Sequence, residues 1–96
     1  MESKKLSKYE RDLRKETKYL VRHHGPCKTA EIFSDRKKNL HEEQISYFTK
    51  AAEEKVRNGE SDCSERFCIM SHRFKADEYE QRIQALKNTY PEFFQQ

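Results

Sequence analysis

Apolar positions recur along this chain at three- and four-residue steps, the spacing of helices rather than strands. After Ser7, the residues Tyr9, Leu13, Thr17, Leu20 and His24 follow one another in this way, and Val21 widens the stripe. Ser7 and Glu10 have the spacing of a capping box, in which a hydroxyl and a carboxylate each satisfy one orphan amide of a first turn. The opposite face of this first helix carries Lys8, Arg11, Arg14, Lys15, Lys18 and Arg22. Gly25-Pro26 stops it, since glycine suits a helix C-terminus and proline cannot continue the hydrogen-bond ladder.

A second, shorter helix is expected over about 28–37, with Ala30, Ile32 and Phe33 as its buried candidates. Asn39 with Glu42 offers a second capping box, opening a third helix over about 40–57. Ile45, Phe48, Ala52 and Val56 line one face of that helix, Tyr47 and Ala51 widen it, and Asn58-Gly59 supplies its C-cap. Asp62 with Glu65 gives a third box and begins the last helical region. Two stripes follow, Phe67, Met70 and Phe74 first, then Tyr79, Ile83, Leu86 and Tyr90. They are out of phase by about one residue near Lys75-Ala76-Asp77, so the pattern predicts a bend, or a break with Asp77 capping a fifth helix. Pro91 ends the regular structure.

The expectation is therefore an all-α single domain over residues 1–96. It is a small bundle of four to five short helices, with a tri-helical N-terminal half and a bent or broken C-terminal helix. Residues 1–6 and 92–96 are expected to be frayed or docked on a partner.

Composition sharpens this in one respect. Apolar residues make up 33% and charged residues 39%, the latter well above the roughly 25% usual in a globular chain. The core must be thin, and self-association or docking on a partner would relieve the shortage. Disorder is the rival reading of such a composition. A net charge of only +3 and 5 Tyr with 6 Phe at helical spacings argue for a folded chain. Three cysteines without framework spacing, no long apolar run and no signal-peptide pattern point to an intracellular protein, cytoplasmic or nuclear, without a membrane partner.

Charge is unevenly spread. Residues 1–28 hold nine Lys/Arg against four Asp/Glu, residues 29–58 six against six, and residues 59–96 five against seven. The basic face of the first helix could meet phosphates, or be an ordinary solvated surface. The short helix, turn and longer helix over 28–57 resemble a helix-turn-helix in outline. Its reading helix would enter the groove with His41-Glu42-Glu43 foremost, and two carboxylates would then face the phosphate walls.

Candidate metal ligands are His23, His24, Cys27, His41, Cys63, Cys68 and His72. Cys68 and His72 share a helix face, and His24 with Cys27 sits at a helix end. Those four could make a zinc site closing the first helix on the last, although free cysteines are more commonly small core residues. No phosphate-cradling glycine loop, nucleophile elbow or H-E-x-x-H motif is present, so neither an enzyme nor a cofactor is expected.

Tyr90, Phe93 and Phe94 place three rings within five residues near the C-terminus. They either fold back over the bundle or anchor it to a partner, as exposed rings do at interfaces. The sequence thus favours a small helical adaptor, regulator or complex subunit that binds a protein partner, or itself, through Tyr90, Phe93, Phe94 and Tyr47. The alternative is a small RNA- or DNA-binding protein using Lys8, Arg11, Arg14, Lys15, Lys18 and Arg22.

Overall fold

A computed structural model describes residues 7–95; the expectation of fraying at 1–6 falls outside them. Ser7 is an extended N-cap, and its capping box forms in full: its hydroxyl accepts from the Glu10 amide at 3.1 Å and its own amide donates to the Glu10 carboxylate at 3.3 Å. Helix α1 begins there and runs over Lys8–Arg36. Gly25 kinks it into two limbs, because its backbone (φ 84°, ψ 165°) lies in a region open almost only to glycine. A Cβ at Gly25 would meet nothing within 4 Å, so any side chain there would be opposed by the backbone alone. Pro26 follows at once, where its missing amide costs nothing and its fixed φ starts the second limb. Buried Thr29 donates its hydroxyl to the Gly25 carbonyl at 2.8 Å, one turn back at the start of the second limb.

The second limb does not stop where a short helix was expected to end. It passes through a six-residue π-helical segment, Lys37–Glu42, directly into α2, Glu43–Arg57. Asn39 keeps helical company and caps nothing, so the second capping box does not form. Asn58-Gly59 does end α2 as expected. The Gly59 amide bonds the Val56 carbonyl at 3.1 Å and the Glu60 amide bonds that of Lys55 at 2.8 Å, with Gly59 at φ 75°. Helix α3 covers Cys63–Thr89, and a short 3-10 turn covers Pro91–Phe93.

All-α is correct, and among the described residues no helix is long and apolar enough to cross a membrane. The expectation of four to five short helices is not. Two long helices of 29 and 27 residues dominate, with the 15-residue α2 between them. The phase slip near Lys75-Ala76-Asp77 is neither a break nor a fifth helix, for α3 continues through it. Its two stripes differ because its two halves meet different neighbours. The C-terminal half packs Tyr79, Ile83 and Leu86 against Leu13 and Leu20 of the first limb of α1 and Ala30 and Phe33 of the second. The N-terminal half lies along α2, where Glu65 pairs with Lys55 at 2.8 Å and His72 stacks on Phe48. The N-terminal half of the chain is therefore no separate tri-helical unit, since its core is completed by α3.

Phe33 is the centre of that core. It is fully buried, its ring lies 5.5 Å from that of Tyr79, and the Arg36 guanidinium sits 5.9 Å above it. Arg36 also reaches Glu16 at 2.7 Å, closing the two limbs of α1 on each other. Beyond this core, α2 and the first half of α3 extend as a two-helix arm. The radius of gyration is 16.8 Å, against about 12.5 Å for a compact domain of this length. That excess reflects the arm.

Candidate functional site

The arm is where burial fails. Ala52 is the one buried residue of α2, and every buried residue of α3 lies at Ala76 or beyond. Phe67, Met70 and Phe74 occupy one face of α3 over two turns and are 75%, 68% and 47% exposed. These three form the first of the two stripes that the sequence marks on this region. The face of α3 turned to α2 carries Glu65, Ile69 and His72, all partly buried, while Phe67 and Met70 are left to solvent and Phe74 has the ring of Tyr9, 6.3 Å away, beside it. Between the two helices runs a cleft of about 530 Å³, lined by Ala52, Val56 and Ile69 with Arg57 and Arg66 at its edge. Asp62 begins α3 without capping it. Its carboxylate is taken by Arg66 at 3.1 Å, and Glu65 is taken by Lys55, so the third capping box does not form either.

A histidine pair, His41 buried and His72 partly so, joins the arm to the core. In a π-helical turn the ladder closes one residue later than in an α-helix, which shifts the face that follows. Here the Glu43 amide bonds the Lys38 carbonyl, and the outcome inverts hydropathy: Leu40 is exposed while His41 is buried. Nδ1 of His41 lies 3.0 Å from Nδ1 of His72 on α3. One proton can be shared at that distance, with one ring donating and the other accepting. Burial, with the charges of His72 and Lys75, holds the His41 imidazole below its ordinary value.

This pair is the middle of a run of rings that leads from core to surface. Phe33 meets Tyr79 at 5.5 Å, Tyr79 meets His41 at 5.7 Å, and His41 meets His72 at 5.3 Å. His72 then stacks on Phe48 at 6.1 Å, and Phe48 touches Tyr47 at 5.2 Å. No spacing in the sequence announces it, because His41 and His72 are 31 residues apart and each alone looks like a surface polar residue.

The residues anticipated for partner binding do not form one surface. Tyr90 and Phe94 pack on the core, and the Cys27 thiol donates to the Phe93 carbonyl at 2.8 Å, so the C-terminal aromatics fold back beside the Gly25 kink. Phe93 stays half-exposed with its ring 6.3 Å from that of Tyr90, and Tyr47 is exposed on α2. The zinc ligands considered above fare differently from one another. His24 and Cys27 lie beside the kink, while Cys68 and His72 lie on α3 in the arm, with His72 engaged by His41. Among the described residues, no three His, Cys, Asp or Glu side chains converge as a metal site would require. The six basic residues Lys8, Arg11, Arg14, Lys15, Lys18 and Arg22 are all exposed on the first limb of α1.

The chain matches no protein-family model, no curated protein and no solved structure, so the arm, the histidine pair and the basic limb are what its function must be read from.

Proposed function

We propose that this protein is a small helical interaction module that binds a protein partner through the arm formed by α2 and α3. The observation that carries this reading is the Phe67, Met70 and Phe74 stripe, exposed on a helix whose other half is well packed. Scattered exposed apolar residues are normal, but three large ones on one face over two turns are a patch, and such patches mark interaction sites. Full burial of a Phe or Met side chain contributes about 1.5–3 kcal/mol. The C-terminal rings favoured by sequence are the weaker anchor, because Tyr90 and Phe94 already have partners within the chain. Cys27, Cys63 and Cys68 are thiols, in keeping with the reducing interior of a cell.

The test is capture from nuclease-treated lysate by the tagged chain, read against two variants. Phe67→Glu with Met70→Glu is expected to reduce capture of the specific partner about 100-fold while leaving the helical circular dichroism signal unchanged, since both residues are exposed. Phe93→Ala is expected to leave capture within a few-fold of the parent. Equal capture by the double variant, or loss on Phe93→Ala alone, would move the site away from the arm.

A further inference from the structure

The basic face of α1 is more than an excess of charge. At about 100° per residue, Lys8, Arg11, Arg14, Lys15, Lys18 and Arg22 fall within one sector of about 120°, and no other residue of 8–24 falls inside it. Leu13 and Leu20, which enter the core, point roughly the opposite way. Every position of this outward sector is therefore cationic, along about 21 Å of helix axis. The ion pairs found among the described residues use Lys28, Arg36, Lys37, Lys55 and Arg66, and none of the six. The carboxylates of the limb lie outside the sector: Asp12 and Glu10 flank it by about 40° on either side, and Glu16, farther round, is taken by Arg36 at 2.7 Å. The stripe ends where Gly25 redirects the chain.

We propose that this stripe docks along the phosphate backbone of duplex nucleic acid. An unbroken row of cations, repeated on every turn and free of intervening carboxylates, is complementary to a linear polyanion. A membrane surface would call for apolar side chains beside the cations to enter the lipid. Here the sector holds none, and the apolar face of the limb is spent in the core. Single strands would call for stacking rings between the cations. The nearest, Tyr19, stands outside the sector with its ring 4.2 Å from that of His23. Contacts of this kind fix position on a duplex without reading its sequence. The stripe and the apolar arm are separate surfaces, so the chain can hold a nucleic acid and a protein at once, and neither reading depends on the other.

The experiment measures fluorescence anisotropy of a labelled 20-base-pair DNA duplex with the full chain, from 50 to 200 mM salt. Six phosphate contacts predict a log–log salt slope of about −5. Arg11→Gln, Lys15→Gln, Lys18→Gln and Arg22→Gln together keep helix propensity and touch no core residue, and circular dichroism checks that the fold persists. This variant is expected to lose about 100-fold in affinity at 50 mM salt, with a slope shallower by about 3–4. Cosedimentation with vesicles of phosphatidylserine and phosphatidylcholine runs in parallel. A salt-insensitive affinity, an unchanged affinity in the folded variant, or capture by vesicles without binding to the duplex each overturns the proposal.

Discussion

Phe33→Ala is expected to lower the melting temperature by about 12–40 °C. Removing a fully buried Phe side chain costs about 3–5 kcal/mol, through lost transfer energy and the cavity left behind. Each kcal/mol shifts the midpoint of a domain this size by about 4–8 °C. The cavity would open in the core where both limbs of α1 meet α3, beside Tyr79. It would also strip the Arg36 guanidinium of the ring beneath it. Phe67→Ala, of identical chemistry, is expected to change stability by no more than about 0.5 kcal/mol, because Phe67 is three-quarters exposed. Thermal melts followed at 222 nm decide the matter. Similar losses from the two substitutions would mean that Phe33 is not the centre of the core.

The second large effect is a loss of stability on acidification that depends on His41. The folded state holds this imidazole below its ordinary value, chiefly by burial and then by the charges of His72 and Lys75. The unfolded chain therefore takes up the proton first as pH falls from about 7. Stability is intact above the ordinary histidine range, declines through it, and reaches its full loss below the folded value. Tyr79 and Lys75 of α3 face the pair, and Lys37 on the π-helical segment is engaged by Glu42 and Glu80 at 3.5 and 3.4 Å. None of these supplies a carboxylate to the imidazolium.

Glu78 works in the opposite sense. Burial, then the charge of Glu10, raises its carboxyl, so its contribution falls as pH rises past the usual carboxylate range. The informative comparison is thus between proteins at matched pH. His41→Asn retains a polar group where Nδ1 sits and removes the titration. Urea midpoints at pH 7.5 and 5.0 are expected to separate much less in this variant than in the parent. An equal separation in both would clear His41 of any part in the acid response.

The sequence disclosed the places where the backbone itself is constrained. Ser7 with Glu10, Gly25-Pro26 and Asn58-Gly59 act where their chemistry says they should, because each acts on its own turn. Asn39 with Glu42 carries the same spacing signal as Ser7 with Glu10, yet the chain stays helical there. An N-cap residue needs a non-helical backbone, and the packing of His41 against His72 and Tyr79 holds this segment in a π turn instead. Asp62 and Glu65 were matched by spacing too, but Arg66 and Lys55 compete for their carboxylates.

Periodicity also marked both stripes of α3 correctly as stripes. It carries no mark of which one has a partner within the chain, so Phe67 and Ile83 looked equivalent. The basic limb was visible as charge, whereas its separation from the core became clear only once Leu13 and Leu20 were placed. The histidine pair was hidden altogether, since it joins a local backbone irregularity to a residue on another helix.

The uninterrupted course of α3 has a consequence for how the molecule breathes. Hydrogen bonds run along all 27 residues, but the side chains that enter the interior begin at Ala76. Local opening is easiest where few apolar groups must be exposed, and such regions come apart as units before the rest. The first three turns of α3 can thus fray together with α2 while the remainder holds to α1. Amide exchange would show a step in protection near Ala76, in the middle of one regular helix. By geometry α3 is a single element, and by stability it is two.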